Sequence, residues 1–434
     1  MAVRLDAGAE DFEANFARLV EGRRAQAADV REEVEAILAR VAAEGDPALL
    51  DYTARLDRHQ LRAERLRVGA DEIALAVGGC PADLRAALEL AAERIRAFHR
   101  RQLPENLDYR DDLGVRLGLR WRPIAAVGIY VPGGTAAYPS SVLMNALPAR
   151  IAGVGRLVMT VPAPGGELNP LVLLAAHLAG VDEVYRVGGA QAIAALAFGT
   201  GAIRAVDKIV GPGNAWVAEA KRQVFGRVGI DMIAGPSEIV VLADGAQDPD
   251  WIAADLLSQA EHDPLAQAVL LTDSARLADA VAASVERQLE ALPRRAIAAS
   301  SWRDFGAIVV VPDLSEAPAL VDLLAPEHLE LLVAEPEALA ERINNAGAIF
   351  LGPHTPEVIG DYVGGPNHVL PTDRSARFAS GLSVYDFLKR TTLLSCDASA
   401  FAALGPAAAA LAQAEGLLGH ARAVTVRLRA ADSA

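Results

Sequence analysis

The sequence predicts an α/β protein with two doubly wound modules, each built around a parallel sheet. Three observations support this prediction. Short β-rich runs in the 434-residue chain end in glycine-rich turns, an amphipathic segment follows most of these turns, and the series occurs twice. A strand, a tight turn and a helix in series are typical of a parallel sheet with helices on its faces. Right-handed crossovers would bring the turns to one edge of that sheet, where ligands bind in such folds.

The residues before the first β-rich run are predicted to form helices. In residues 11–24, 30–44 and 81–101, apolar side chains recur three and four positions apart with charges between them. A linker is predicted at residues 103–106, where the sequence Leu-Pro-Glu-Asn interrupts the pattern.

Two series of strands and helices follow. The predicted strands of the first series are residues 125–131, 156–161, 183–187 and 208–210, with helical periodicity in residues 192–198 and 215–224. Those of the second series are residues 239–242, 268–272, 307–311, 329–333 and 348–351, with helical stretches such as 274–292 and 336–346. The C-terminal residues are rich in alanine and helical in pattern, and end in a strand-like run at 423–428. They predict a small separate unit.

Composition excludes several classes of protein. The formal net charge is −15 and no Lys/Arg cluster stands out, which argues against nucleic acid as a partner. No uninterrupted apolar run is long enough for a bilayer span, and the N-terminus lacks the apolar core of a signal peptide, so we expect a cytoplasmic protein without a membrane partner. Only Cys80 and Cys396 are present, so any metal must be held by imidazole, carboxylate or amide groups.

The glycine-rich turns are candidates for nucleotide binding. Asn214 follows a Gly-Pro-Gly turn at residues 211–213 and opens a predicted helix, whose free N–H groups suit a pyrophosphate. Glycine in any one such turn is better explained by the tight change of direction alone, whereas four such turns in series favour a nucleotide site. Because the sequence contains no G-x-G-x-x-G fingerprint, the pattern does not by itself support dinucleotide binding in the usual manner.

A candidate metal site lies in residues 256–263. Gln259 and His262 are three positions apart, so on a helix they share a face. Imidazole is the commonest protein ligand for zinc, whereas an amide oxygen is rarer. A lone histidine near a helix end is more often a cap, so both explanations stay open.

A second candidate is the adjacent pair Glu327 and His328 at a predicted loop-to-strand junction. Neighbouring residues on a strand point to opposite faces, so both can serve one site only if the backbone turns there. Without such a turn, the pair would be an ordinary solvated surface pair.

Three further groups lie beside glycines. Asp361 is in residues 358–365, where glycines would let the backbone approach a ligand, although carboxylates beside glycines are also ordinary turn formers. Glu415 and His420 surround two glycines that weaken a regular helix, and a surface helix end would explain them equally well. The Pro-Asn-His run at 366–368 is interpreted as a turn rather than a metal site.

Residues 230–262 resemble the histidinol dehydrogenase signature throughout, including the Gly-Pro-Ser-Glu turn at 235–238 and the terminal Ser-Gln-Ala-Glu-His. Many specified positions over this length make chance an implausible explanation. The resemblance extends over essentially the whole chain, through residues 130–134, 187–191, 211–214, 325–328 and 367–372.

The resemblance implies an NAD-dependent oxidation of L-histidinol to L-histidine through L-histidinal, the last steps of histidine biosynthesis. It also implies one zinc ion per subunit, with the ligands Gln259, His262, Asp361 and His420. Glu327 and His328 would be the proton-transfer residues, and Tyr130, Gln191 and Asn214 would contact NAD. The substrate would be bound by Ser237 and Glu415 together with Gln259, His262, His328, Asp361 and His420.

The resemblance further implies a homodimer, in which Glu415 and His420 complete the site of the neighbouring subunit. It implies Rossmann-like modules that are incomplete and lack the usual fingerprint. The predicted organisation is an N-terminal helical arm at 1–25, a first α/β domain at 26–125 plus 238–380, a second at 126–237, and a small C-terminal domain at 381–434. Ala325 departs from the family, because many relatives have glycine there, and Gly416 and Gly419 loosen the segment between Glu415 and His420.

A mechanism follows from these expectations. Oxidation of an alcohol to an acid removes four electrons, so two NAD molecules are used in succession. We expect His328 to take the hydroxyl proton, since an imidazole titrating near neutrality suits that task. Neither cysteine lies in a candidate site, so we expect Glu327 to activate a water that converts the aldehyde into its hydrate. Zinc is expected to orient the substrate through its imidazole and amino group.

Two alternatives remain open. A paralogous zinc and NAD dehydrogenase could act on another polar alcohol, such as a sulfonated propanediol. Glu415 discriminates between the two substrates, since an ammonium group pairs with a carboxylate and a sulfonate with cations. A zinc-stabilised binding protein without turnover would keep the four ligands but would not need Glu327 and His328.

Overall fold

The computed structural model of the chain describes residues 2–22, 30–133 and 138–431. Gly134 of the first glycine-rich turn and the end of the helix predicted at 11–24 lie outside these residues. The strands are β1 (Val3–Asp6), β2 (Leu107–Arg110), β3 (Arg116–Pro123), β4 (Ala126–Tyr130), β5 (Arg156–Val161), β6 (Glu183–Arg186), β7 (Lys208–Val210), β8 (Gly229–Ile230), β9 (Glu238–Ala243), β10 (Gln267–Thr272), β11 (Ala307–Val310), β12 (His328–Leu332), β13 (Ala348–Leu351) and β14 (Leu388–Ser395).

The helices surround and connect these strands. They are α1 (Phe12–Glu21), α2 (Arg31–Glu44), α3 (Asp46–Leu56), α4 (Ala70–Gly79), α5 (Ala82–Arg100), α6 (Pro139–Ala152), α7 (Pro170–Ala179), α8 (Gly189–Phe198), α9 (Ala215–Val224), α10 (Pro249–Ala260), α11 (Ala275–Leu289), α12 (Arg295–Phe305), α13 (Ala317–Leu324), α14 (Pro336–Ala340), α15 (Glu357–Tyr362), α16 (Ala398–Ala414) and α17 (Leu418–Ala431). No helix within the described residues is long and apolar enough to cross a membrane.

Two parallel sheets carry the fold. One has six strands in the order β1-β11-β10-β9-β12-β13, and the other has five in the order β6-β5-β4-β7-β8. Apart from β1, which lies at the edge of the six-stranded sheet, the chain enters each sheet at a central strand (β9 or β4), moves outward on one side, and then returns to continue on the other side. The prediction of two doubly wound α/β modules is therefore confirmed.

The N-terminal residues differ from the predicted helical arm. Before α1 begins, β1 adds to the edge of the six-stranded sheet, with Val3 opposite Ala307. Only Leu5 of this strand is buried. A four-residue strand with one buried side chain leaves too short an alternation to be detected in the sequence.

The helices of residues 31–100 also differ from their predicted assignment to the module of residues 238–380. Helices α2 and α3 pack on α8, and α4 and α5 pack on α7, all on the five-stranded module. The apolar face of α2 joins the core of that module through Val34, Leu38 and Val41. Helical periodicity identifies an apolar face, but it does not say which sheet layer will cover that face.

A second compact unit comprises residues 103–124 and 387–434. It contains an antiparallel sheet in the order β14-β3-β2 and the helices α16 and α17. The unit thus includes the predicted linker and begins later than the predicted boundary at residue 381.

The prediction of a strand-like run at 423–428 is wrong, because these residues belong to α17. A Cβ atom at Gly405 of α16 would lie 3.1 Å from a methyl group of Leu428 and 3.3 Å from one of Val424. Val424 and Leu428 are four residues apart and therefore share the helix face that packs on this glycine. Tertiary packing thus overrides the β propensity of the run.

Candidate functional site

The predicted proton-transfer residues Glu327 and His328 lie at the amino edge of the six-stranded sheet, where the neighbouring strands β9 and β12 begin. The backbone N–H of Glu238 donates to Oε2 of Glu327 at 3.0 Å, and the N–H of Glu327 donates to Oε2 of Glu238 at 3.3 Å. All three side chains, including that of His328, are buried. The parallel pairing of β9 and β12 therefore fixes both predicted catalytic residues.

The hydrogen bonding of His328 determines which ring nitrogen is available. Its Nδ1 lies 3.0 Å from the carbonyl oxygen of Glu238, which can only accept, so Nδ1 carries a proton and donates it. Its Nε2 is buried and has no hydrogen-bond partner within the described part of the chain. Nε2 is consequently the nitrogen that can exchange a proton with a ligand.

The backbone turn that the pair requires is present just before β12. Ala325 ends α13 with φ 46° and ψ 58°, which is the left-handed conformation. This conformation favours glycine, so the alanine here holds the turn at a cost in backbone strain. After the turn, Oε2 of Glu327 and Nδ1 of His328 lie 3.8 Å apart.

Two carboxylates of α15 face the free nitrogen of His328. Oδ1 of Asp361 lies 3.6 Å from Nε2, and Oε1 of Glu357 lies 3.9 Å from it. The ligand atoms of these three residues all lie within 4.8 Å of one another. Glu357 was not among the predicted site residues, although its spacing of four from Asp361 on a helix is a signal that could have identified it.

The cluster shifts the ionisation of its members. Burial raises the pKa of Glu327 to about 7, with the charge of Glu238 adding to the effect and His328 opposing it. Burial also raises the pKa of Glu357 to about 8, and the charge of Asp361 reinforces this shift. Burial would raise the pKa of Asp361, but the nearby imidazoles of His328 and His368 outweigh this effect and lower it.

The pKa of His328 is raised to about 10. Burial lowers it, but the charge of Glu327 and the contacts with Asp361 and Glu357 more than compensate. A cation held by Asp361 would offset this negative charge and bring the pKa of His328 back toward neutrality.

The predicted zinc ligands Gln259 and His262 lie at the C-terminal end of α10. Gln259 is only 1% exposed, and its Oε1 has no hydrogen-bond partner among the described residues. His262 is exposed, but packing around its ring removes enough hydration to lower its pKa, and the charge of Asp361 opposes this shift. The imidazole of His262 therefore lies within electrostatic range of Asp361.

These donors fit a zinc ion. Zinc takes nitrogen and oxygen ligands, and the unsatisfied buried amide oxygen of Gln259 is a suitable one. The fourth predicted ligand, His420, and the substrate residue Glu415 belong to the second unit, where both are exposed around the turn between α16 and α17. Ser237 is half-buried directly before β9, beside Glu238.

The run at 366–368, predicted to be a turn, positions Asp361. Nδ1 of His368 donates to the carbonyl oxygen of Asp361 at 3.0 Å and lies 4.0 Å from its Oδ1. Asn367 anchors the run by donating to the carbonyl oxygen of Met144 at 2.7 Å. This role depends on contacts between distant segments, so the sequence pattern gave no signal for it.

The predicted NAD contacts lie at the carboxyl edge of the five-stranded sheet. Tyr130 ends β4, and its hydroxyl accepts from the N–H of Gly189 at 3.2 Å. Gln191 is 1% exposed, and neither atom of its amide has a hydrogen-bond partner in the described ranges. Asn214 caps α9 by accepting from the N–H of Val217 at 3.2 Å. An unsatisfied amide at a turn between strand and helix fits a polar cofactor.

A buried ion pair holds the turn before Asn214. Lys221 of α9 and Asp231 are 2% and 1% exposed in their side chains and form a salt bridge. Lys221 donates to the carbonyl oxygen of Gly211 at 2.9 Å, and the N–H of Gly211 donates to Asp231 at 2.7 Å. Gly211 has φ 114°, and a Cβ there would lie 2.1 Å from the carbonyl oxygen of Tyr130. The ion pair therefore holds the turn between β7 and α9 from both sides, and Gly211 lets that turn lie close to the end of β4.

We expect Lys221→Met to lower the free energy of unfolding by about 3 to 5 kcal/mol, because the substitution leaves the Asp231 carboxylate buried without its cation. The double variant Lys221→Met/Asp231→Asn should recover part of this loss. Arg222→Met, on the exposed side of the same helix, is the control and should change stability by less than about 0.5 kcal/mol. Urea unfolding measures all three, and equal losses for Lys221→Met and Arg222→Met would contradict a stabilising ion pair.

The chain is similar to proteins of known family over nearly its whole length. The family model described as histidinol dehydrogenase matches residues 21–428. The chain is 62% identical to the histidinol dehydrogenase of Rhodospirillum rubrum over 99% of both chains, and 63% identical to that of Cereibacter sphaeroides over 98% of both. The crystal structure of histidinol dehydrogenase from Elizabethkingia anophelis matches with a TM-score of 0.94 and 36% identity, covering 99% of each chain. The chain therefore belongs to the histidinol dehydrogenase family.

Proposed function

We propose that this protein oxidises L-histidinol to L-histidine through L-histidinal, the last steps of histidine biosynthesis, and that it does so in the cytoplasm. The observation that carries the proposal is the buried Glu327–His328 pair beside Asp361, in a chain of this family. The conversion removes four electrons, and NAD, when bound, accepts a hydride in each of the two oxidations. The residues of the chain must therefore move protons twice and hold the substrate between the two oxidations.

His328 accepts the hydroxyl proton in the first oxidation. Its Nδ1 donates a hydrogen bond to the carbonyl oxygen of Glu238. Nε2 therefore has a free lone pair when the ring is neutral. The strand edge keeps the ring in one orientation, so the accepting nitrogen points toward Asp361 and Glu357. This fixed tautomer suits a general base.

Glu327 takes a proton from the water that adds to the aldehyde. A carboxylate with a pKa of about 7 is matched to proton transfer near neutral pH. A cysteine route would need a thiol in the site, but Cys80 is buried and contacts the carbonyl oxygen of Ala76 at 3.2 Å, while Cys396 belongs to the second unit. The resulting hydrate is the substrate of the second oxidation, in which His328 again accepts a proton.

Zinc would be held by Gln259, His262 and Asp361, with His420 as the fourth ligand. When bound, zinc would orient the substrate by coordinating its imidazole and its amino group, neither of which is carried by the reacting carbon. The support for this set is the unsatisfied Oε1 of Gln259 and the electrostatic proximity of His262 to Asp361. In this arrangement Glu357 positions Asp361 by a hydrogen bond rather than acting as a ligand.

His420 and Glu415 act in the site of the neighbouring subunit of a homodimer. The second unit carries exposed leucines suited to an interface, with Leu394, Leu411 and Leu418 at 68%, 67% and 70% exposure. The test mixes His420→Ala and Glu327→Gln subunits under conditions that exchange chains. Assayed for oxidation of L-histidinal, each parent should be nearly inactive, whereas mixed dimers contain one intact site and should regain activity. No recovery in verified mixed dimers would contradict shared sites.

The identity of the substrate is tested by comparing L-histidinol with a sulfonated propanediol, the substrate of the alternative dehydrogenase on the same fold. Glu415 would pair with the ammonium group of L-histidinol and would repel a sulfonate. We expect kcat/KM for L-histidinol to exceed that for a sulfonated propanediol by more than about 1000-fold, which is about 4 kcal/mol of discrimination. The opposite preference would favour the paralogous dehydrogenase, and NADH formation from neither substrate would favour a binding protein.

A further inference from the structure

Asp57 lies at the carboxyl edge of the five-stranded sheet, although it comes from the helices that precede the sheet. It ends α3, and its carbonyl oxygen accepts from the N–H of Gly165 at 3.0 Å. The N–H of Ala163 is hydrogen-bonded to its carboxyl group. Both partners belong to the turn after β5, so the end of α3 is tied to that turn.

This position has a known use in sheets of this topology. In dinucleotide-binding folds, an acidic residue at the end of the second strand binds the hydroxyls of the adenosine ribose. The second strand of this sheet is β5; residues 162–166 after it read Pro-Ala-Pro-Gly-Gly, and the first acid of the turn, Glu167, is exposed to solvent. Asp57 supplies a carboxylate at the place where the strand itself supplies none.

The carboxyl group of Asp57 is prepared for a ligand. The residue is only 8% exposed, and its Oδ2 has no hydrogen-bond partner in the part of the chain that the structure describes. Burying a carboxylate with one oxygen unsatisfied costs free energy, and a ligand that donates hydrogen bonds would remove that cost. Burial accordingly raises the pKa of Asp57.

Asp57 also belongs to the same edge as the predicted NAD contacts. Burial raises the pKa of Tyr130 to about 12, and the charge of Asp57 contributes to the shift, which places the two groups in electrostatic range. The turns after β4, β5 and β6 pack on one another at Pro162. A Cβ at Gly188 would lie 2.5 Å from Pro162, and one at Gly133 would lie 2.9 Å from it.

A cavity of about 660 Å³ opens beside this turn. His59, two residues after Asp57, lines it, and a Cβ at Gly166 would lie 2.4 Å from the His59 ring. Arg62 and Arg65 also line the cavity, so it offers room for an adenosine together with positive charge. The arginines could instead favour a 2′-phosphate, which makes the choice between NAD and NADP the sharpest test of Asp57.

We propose that the Asp57 carboxylate binds the 2′- and 3′-hydroxyls of the adenosine ribose of NAD and repels the 2′-phosphate of NADP. The proposal rests on the proposed use of NAD by this protein. It makes Asp57 a cofactor-specificity residue that lies outside the strand–turn–helix pattern.

The test compares Asp57→Asn with the wild type as zinc-loaded protein, using calorimetric affinities for ADP-ribose, NAD, NADP and nicotinamide mononucleotide. Hydrogen bonds to a charged group are worth about 1.5 to 3 kcal/mol, so ADP-ribose and NAD should bind about 10- to 150-fold more weakly. The affinity for NADP should rise or stay constant, and that for nicotinamide mononucleotide, which lacks the adenosine, should not change. Thermal stability without ligand should be unchanged or higher.

Glu183→Gln is the matched control, because Glu183 is a buried carboxylate at the amino end of β6 and bonds Arg156 there. It should keep the wild-type affinity for ADP-ribose. An unchanged ADP-ribose affinity in Asp57→Asn would overturn the proposal, as would an equal loss for nicotinamide mononucleotide or tighter binding of NADP than NAD by the wild type. A wild type that binds neither NAD nor ADP-ribose would instead overturn the proposed function.

Discussion

Glu327→Gln is expected to reduce oxidation of L-histidinal by about 10²- to 10⁴-fold while oxidation of L-histidinol loses far less. Glutamine keeps the shape of the side chain and can still accept from the N–H of Glu238, but it cannot take a proton from water. The two oxidations should therefore separate, because hydration of the aldehyde is needed only for the second.

The measurement is the initial rate of NADH formation with L-histidinol and with L-histidinal supplied separately. Glu337→Gln, an exposed glutamate of α14, is the control and should leave both rates unchanged. Equal losses of the two oxidations in Glu327→Gln would count against a role of Glu327 in activating water.

Asp361→Ala is expected to remove zinc and, with it, nearly all activity. Asp361 is ionised beside the imidazoles of His328 and His368 and is the predicted anionic ligand, so no other group of the predicted set can replace its charge. We expect zinc to bind more than about 100-fold more weakly, beyond the 10- to 100-fold losses typical of groups that only hydrogen-bond a ligand. The readout is zinc content after dialysis, measured beside activity.

Comparing zinc affinity in Glu357→Gln and Asp361→Ala shows which of the two carboxylates is the zinc ligand. Glu357 lies 3.9 Å from Nε2 of His328, against 3.6 Å for Asp361, yet the proposed ligand set excludes it. Glu357→Gln should lose at most about 10-fold in zinc affinity, within the range for a hydrogen-bonding neighbour. Stronger loss in Glu357→Gln than in Asp361→Ala would assign the metal to Glu357 instead.

The strand series could be predicted because each strand is short, apolar and followed by a glycine-rich turn. The predicted strands at 156–161, 208–210 and 348–351 have the bounds of β5, β7 and β13. The strand prediction at 423–428 failed for a physical reason, since Val424 and Leu428 pack as part of a helix against Gly405. The covering of the five-stranded module by α2 also depends on tertiary packing, which periodicity does not contain.

The candidate site, too, was predictable only where local sequence determines the structure. The requirement for a backbone turn at Glu327 followed from strand geometry, and Ala325 supplies that turn with a left-handed backbone. Glu238 and His368 could not be predicted, because each acts through contacts with residues far away in the sequence. The roles carried over from the family for Gln259, His262 and His420 stay predictions.

The sequence did not predict the sheet edge at which Glu327 and His328 lie. Turns at carboxyl ends of strands predict ligands there, and Tyr130, Gln191 and Asn214 lie at such an edge of the five-stranded sheet. Glu327 and His328 instead lie at the amino edge of the six-stranded sheet, where β9 and β12 begin. Glu238, the first residue of β9, contacts both, so the parallel pairing itself builds this part of the site.

The most direct test of the central claim is the amount of NADH formed per L-histidinol consumed, with zinc-loaded and chelated protein side by side. Two NADH per L-histidinol, lost on chelation and restored by zinc, is the predicted result. One NADH with free L-histidinal released would contradict the hydration step assigned to Glu327, and full activity after verified removal of zinc would contradict the metal site at Asp361.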